Sequence, residues 1–175
     1  MARVAQGDLL AWRTLYERQR DYVFRAALRF MGNEADARDV VQDVFVSLFS
    51  RAGSFRTSGK LTTYLWRVVA NRCLNERARA RNRAEAPASG VAGLESVAAP
   101  EERAPDRQLE HREVREQVQR AILALPERQR LAVILSRYEG LSYEEIASAL
   151  ECSVSSVESL LFRARQGLAK ALSPR

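Results

Sequence analysis

The chain reads as all-α: two small helical domains joined by a flexible linker, the C-terminal one built on a helix-turn-helix. Three observations predict this. Apolar residues recur at three- and four-residue steps through most of the chain, no useful length alternates with the period of a strand, and residues 84–108 (AEAPASGVAGLESVAAPEERAPDRQ) break the periodicity with an Ala/Pro/Gly/Ser/Glu-rich run. The expected bounds are 1–83, a linker 84–108, and 109–175. Each domain is roughly 65 to 85 residues, a size at which burial is marginal and a partner often adds stability.

The first helix starts after Asp8, a side-chain acceptor suited to an N-cap. It carries Leu9, Trp12, Leu15, Tyr16, Val23, Ala27, Phe30 and Met31 at helical steps and stops at Gly32-Asn33. The next opens near Glu34 with acidic residues in its first turns, where the helix dipole favours them. Val40, Val41, Val44, Phe45, Leu48 and Phe49 form its expected buried face, leaving Asp36, Asp39, Gln42, Asp43 and Ser47 outside. Residues 53–62 (GSFRTSGKLT) read as a loop holding Phe55, Arg56 and Lys60, an aromatic among cations that could stack on an unpaired base and neutralise its backbone. A plain surface loop with Phe55 folded inward fits equally well. From Thr63 a third helix carries Leu65, Val68, Val69, Cys73 and Leu74 on its apolar side, then Arg72, Arg77, Arg79, Arg81 and Arg83 with only Glu76 opposing. A charge run is more often a solvated face, but the neighbouring Tyr64 and Trp66 turn the reading toward nucleic acid, since arginine grips phosphate with two prongs and stacks on bases.

Beyond the linker, a charged helix from Leu109 ends before Pro126, and ERQRLAVILSRYEG forms another closed by Gly140. The last stretch, Ser142 to Leu172, holds the helix-turn-helix. Ser142 and Glu145 have the capping-box spacing, Ile146, Ala147 and Leu150 set one face, and Ser153 can cap a second helix whose Val157, Leu160, Leu161, Ala164 and Leu168 continue the seam. The small Ala147 opposite Val157 lets two helices cross closely. Ser155, Ser156, Ser159, Phe162, Arg163 and Gln166 are left outward, and hydroxyls with a cation suit base edges and phosphates. Glu158 stands out among them: it must point aside, pair with a nearby arginine, or accept from a cytosine amino group.

Composition narrows the chemistry. The net charge is +6 with 28 basic and 22 acidic side chains, a balance that favours a polyanionic partner. It is unevenly spread: residues 1–83 hold 16 basic against 8 acidic, 84–108 hold 2 against 5, and 109–175 hold 10 against 9. A second nucleic-acid contact is therefore expected in the N-terminal domain. Cys73 and Cys152 fall in apolar helical patterns and read as core thiols, too few for a structural zinc site. His111, in the run EHREVRE, reads as a solvated helix residue. No run is long and apolar enough to span a membrane, and the polar start lacks a secretory signal, so the expected compartment is the cytoplasm. No cofactor is expected.

The order of these features resembles the bacterial sigma-70 family of transcription initiation factors, specifically the short extracytoplasmic-function type. DARDVVQDVFVSLF looks like that family's core-polymerase-binding segment, TYLWRVVANRCLNERAR resembles its −10 helix, and LPERQRLAVILSRYEGLSYEEIASALECSVSSVESLLFRAR resembles its −35-reading domain. The resemblance covers most of the chain. It implies that core RNA polymerase binds at Asp36, Asp39, Gln42, Asp43 and Ser47. The −10 element would meet Phe55, Arg56, Lys60, Tyr64, Trp66, Asn71, Arg72, Arg77 and Arg79, and the −35 element Ser155, Ser156, Ser159, Arg163 and Arg165. It further implies an anti-sigma partner and no catalytic site. The chain departs from the family pattern at Tyr64, where Trp is usual; at Glu151, a turn position often held by Gly; and at Glu158 and Leu160, often basic. Two other classes compete: a dimeric operator-binding regulator, which would use the charged helix from Leu109 to self-associate, and an all-α adaptor whose basic face is incidental.

Overall fold

A computed structural model describes residues 2–54, 61–85 and 105–173. All regular elements among them are helical: α1 (Ala2–Ala5), α2 (Leu9–Met31), α3 (Glu34–Ser50), a 3-10 turn (Ala52–Ser54), α4 (Leu61–Glu85), α5 (Pro105–Ala124), α6 (Glu127–Arg137), α7 (Tyr143–Ala149) and α8 (Val154–Leu172). The expected caps form. Asp8 accepts from the Ala11 N–H, Gly32 ends α2 in the left-handed region at φ 82°, and Asn33 caps α3. Boundaries moved in two places. Helix α4 begins at Leu61, two residues before Thr63, and α4 and α5 together take residues 84–85 and 105–108 from the expected linker; the alanines and arginines of residues 78–84 carry α4 on, and Pro105 suits the first position of α5.

The N-terminal core lies where α2, α3 and α4 meet. Val23, Ala26, Ala27 and Phe30 pack with Val40, Val44, Phe45 and Leu48 and with Leu65, Trp66, Val69 and Cys73. Full burial pushes the Cys73 thiol up to about 12, which makes it an inert apolar group. Two expected core residues are on the outside instead: Leu9 and Phe49 are 69% and 48% exposed. The C-terminal core joins Ile122, Leu131, Ile134, Leu135, Ile146, Val157, Leu161 and Ala164, all buried.

The two domains pack on each other, α2 against α5 and α6, and α4 against α6 and α7. The physical cause is visible at the end of α2. Its last carbonyls lack helical partners, and they are met by donors from the other domain: Arg130 Nη1 donates to Phe30 O at 2.7 Å and Gln119 Nε2 to Arg29 O at 3.0 Å. Arg130 is 4% exposed and also donates through Nη2 to the carbonyls of Leu123 and Leu125, the latter at 3.1 Å, closing the end of α5. Its guanidinium sits 5.1 Å from the centre of the Phe30 ring. Burial lowers the pKa of Arg130, the Arg77 charge acts in the same direction, and Glu127 opposes both; an arginine stays charged regardless. Gly32 fits this contact for a second reason, because a Cβ there would lie 2.9 Å from a Leu123 methyl.

Glu139, between α6 and α7, lies in the same seam. Its carboxylate is 4.0 Å from Arg29, whose guanidinium covers the Tyr138 ring at 4.3 Å. Burial raises the Glu139 pKa above its ordinary 4.5, against the pull of Arg29 and Arg25. The folded state therefore holds this proton to higher pH than the unfolded chain, so stability falls as pH rises through the interval just above 4.5. Glu139→Gln is expected to remove that part of the slope. Melting curves of both proteins between pH 4.5 and 7 check it, and parallel profiles would refute it.

Candidate functional site

Three exposed surfaces come from the three segments singled out in the sequence. On α3, Asp39 and Gln42 are exposed and share an outward stripe with Val46, 62% exposed, and Phe49. Asp36 is part-buried and tied to the cap, since Asn33 Nδ2 donates to its carboxylate at 2.8 Å. Asp43 is half-buried and turned toward α4, 3.8 Å from Arg72 and 4.0 Å from Arg79. Ser47, expected outside, is buried at 7% exposure, because it lies on the α3 side that packs inward with Val40 and Val44. Beside the stripe runs an open groove of about 1030 Å³ between α2 and α3, walled by Trp12, Tyr16, Val41, Phe45, Val46 and Phe49. Edge-to-face ring contacts stiffen that wall, Tyr16 to Phe45 at 4.8 Å and Trp12 to Phe49 at 5.0 Å.

Helix α4 divides its polar residues between two sides. Asn71 and Arg79 are exposed, and helical spacing sets Tyr64, Arg67, Asn75 and Asn82 on their side, with the Arg67 guanidinium 5.7 Å from the Tyr64 ring centre. Arg72 is half-buried beside Asp43. Arg77 and Arg81 face the other way, toward Glu127 of α6, at 3.9 and 2.8 Å. Trp66 is a correction: expected at the nucleic-acid surface, it is buried in the core, because it falls on the same side as Val69, Ala70 and Cys73. Arg67, Asn75 and Asn82 were not singled out from sequence, although stepping by three and four from Tyr64 reaches each of them. Phe55, Arg56 and Lys60 lie outside the described residues.

In the C-terminal domain the capping box of α7 is complete: Glu145 N–H donates to Ser142 Oγ at 3.2 Å, and Ser142 N–H to the Glu145 carboxylate at 3.1 Å. After α7, Cys152 N–H donates back to Ala147 O at 3.0 Å across Glu151, which adopts φ 50°. The turn thus accepts a left-handed backbone at a residue with a Cβ, at a cost of about 1 to 2 kcal/mol. Glu151→Gly is accordingly expected to stabilise the protein by about 1 kcal/mol in chemical denaturation; a loss of stability would contradict the strain. Arg128 Nη2 donates to Leu150 O at 2.8 Å and pins the turn to α6. Ser153 caps α8, and the residues expected outward (Ser155, Ser156, Ser159, Phe162, Arg163, Arg165 and Gln166) are all exposed. No group of three or more His, Cys, Asp or Glu able to hold a metal occurs among the described residues, and no described helix is long and apolar enough to cross a membrane.

Comparison with known proteins decides what this arrangement is. Residues 15–83 match the family model for sigma-70 region 2 and residues 115–168 that for sigma-70 region 4. The RNA polymerase sigma-H factor of Pseudomonas aeruginosa is 33% identical over 178 residues, covering 98% of this chain and 91% of its own. The chain belongs to the sigma-70 family, extracytoplasmic-function type. The ECF RNA polymerase sigma-E factor of Escherichia coli is likewise 33% identical, over 98% of this chain and 92% of that one. Among solved structures, CnrH in complex with the cytosolic domain of CnrY superposes with a TM-score of 0.69 at 26% identity, over 98% of this chain and 93% of that one. The sigma factor RpoE of Bartonella quintana, bound to the anti-sigma factor NepR, shares the fold with a TM-score of 0.72 at 23% identity, over 93% and 96% of the two chains. As a sigma factor the chain has its region 2 in α2–α4 and its region 4 in α5–α8, and the α3 stripe, the α4 face and the outward side of α8 are its exposed polar surfaces.

Proposed function

We infer that this chain binds core RNA polymerase and directs initiation at promoters by reading −35 and −10 DNA. The observation that carries this is the pairing, on one chain and in this order, of a region 2 and a region 4, each with an exposed polar helix face. Polymerase docks on the α3 stripe. Asp39 and Gln42 supply directed polar contacts there, and Val46, Phe49 and the adjacent aromatic groove supply apolar area. Asp43 serves both surfaces, since its carboxylate on α3 faces Arg72 and Arg79 of α4.

Helix α8 lies in the major groove of the −35 element, with Ser155, Ser156, Ser159, Arg163 and Arg165 reaching bases and phosphates. Near −10, Arg72 and Arg79, joined by Arg67, neutralise duplex phosphates beside Tyr64. The side-chain amides of Asn71, Asn75 and Asn82 donate to the same sugar-phosphate backbone. The segment holding Phe55, Arg56 and Lys60 captures an extruded base. Unstacking costs a few kcal/mol, and stacking on an aromatic side chain returns about 1 to 3. The rest of the melting energy comes from polymerase contacts. No bond is made or broken by this chain, polymerisation belongs to the partner, and the site of action is the cytoplasm, where polymerase and DNA are. An anti-sigma protein that covers the same faces is the expected antagonist; the similar CnrH was solved in complex with the cytosolic domain of CnrY.

Footprinting tests the reading. Full-length protein plus core polymerase should protect two promoter segments about two helical turns apart, with strand opening at the downstream one. Protection of a palindrome by the protein alone would instead favour a dimeric operator-binding regulator.

A further inference from the structure

Glu158 takes no part in the contacts described above. It lies in the second turn of α8, exposed, on the same outward stripe as Ser155, Ser159 and Phe162. A carboxylate on a DNA-facing surface repels phosphate, and a neighbouring cation would normally cancel that. Within α8 none stands at the spacing that would pair with it: the residues three and four away on either side are Val154, Ser155, Leu161 and Phe162.

The hydroxyls around it each already make one bond to α8 or its cap and keep only part of their capacity for DNA. Ser155 Oγ and Ser156 Oγ bond Ser153 Oγ at 3.0 and 2.8 Å, and Ser159 Oγ donates to Ser155 O at 3.0 Å. Within the first two turns of α8, among the described residues, Glu158 is thus the polar side chain whose full bonding capacity is left unused. All of that capacity is for accepting.

We propose that Glu158 is a specificity-determining residue that reads a cytosine in the −35 element, its carboxylate accepting from the cytosine N4 amino group. This rests on the reading of α8 as the −35-binding helix. The chemistry selects the base. In the major groove guanine presents two acceptors and thymine an acceptor and a methyl, both of which reject a carboxylate, while adenine offers a donor beside an acceptor. Cytosine alone offers a donor with no acceptor on its own edge. The repulsion from flanking phosphates is then a penalty incurred at every sequence and offset only where cytosine is present, so the carboxylate sharpens selectivity at the expense of general affinity.

The test uses holoenzyme assembled from core polymerase and the full chain, selecting from promoters randomised across the −35 element. Wild type should require cytosine at one position, on one strand. Replacing that base should weaken binding by roughly 5- to 150-fold, the range of one base contact. Glu158→Ala should erase the preference at that position alone. Glu158→Gln should shift it toward adenine, whose N6 and N7 match an amide. Selection profiles identical in wild type and Glu158→Ala overturn the proposal, whether affinity rises uniformly because a repulsive charge is gone or does not change because the side chain points to solvent. Holoenzyme that initiates but ignores the −35 sequence also overturns it. Failure to form any holoenzyme overturns the functional reading beneath it, and co-elution with core polymerase separates that result from the others.

Discussion

Arg130→Met is expected to lower stability by about 3 kcal/mol and the melting temperature by about 10 °C. The guanidinium closes the ends of two helices at once, through Phe30 O on one side and Leu123 O and Leu125 O on the other. Methionine can fill the volume and keep contact with the Phe30 ring, but it leaves those carbonyls to find water or go unbonded. Bonds from a charged donor contribute about 1.5 to 3 kcal/mol each, reduced here by the cost of burying the charge. Arg130→Lys should recover less than half of the loss, because a single ammonium cannot span carbonyls on both helices. Thermal melts followed by circular dichroism check this. A loss under about 1 kcal/mol would mean that the domain contact adds little.

Val46→Glu is expected to weaken core-polymerase binding by about 2 kcal/mol, roughly 30-fold, without altering the fold. Val46 is 62% exposed at the lip of the groove between α2 and α3, so a carboxylate there stays in water and its effect on stability should fall within about 0.5 kcal/mol. Between polymerase and the groove the same carboxylate would be desolvated without a partner. Titration of fluorescently labelled protein with core polymerase measures it. Unchanged affinity would remove the α3 stripe from the docking surface.

What the sequence made legible follows the range of each interaction. Asp8, Ser153 and the Ser142–Glu145 pair act on backbone groups three residues away, so local spacing predicted their bonds correctly. Helical periodicity likewise placed Ser155, Ser159 and Arg163 outward. Periodicity reports the width of an apolar stripe but not what covers it, which is why Leu9 and Phe49 were expected inside and lie at the surface by the open groove. Trp66 shows the converse: it precedes the arginine run that begins at Arg72, and only the register of α4 against α2 and α3 decides that it is core. The reach of Arg130 to Phe30, a hundred residues away, leaves no local trace. The sequence suggested two domains free to separate, whereas the unfilled carbonyls at the end of α2 draw them together.

Run-off transcription tests the central claim most directly. Core RNA polymerase supplied with this protein should produce transcripts with discrete start sites from a subset of promoters in a genomic pool, and Val46→Glu should require roughly 30-fold more protein to reach the same yield. Core polymerase that yields the same transcripts with and without the protein, while the protein alone retards specific duplexes, would contradict a sigma factor and favour a conventional regulator.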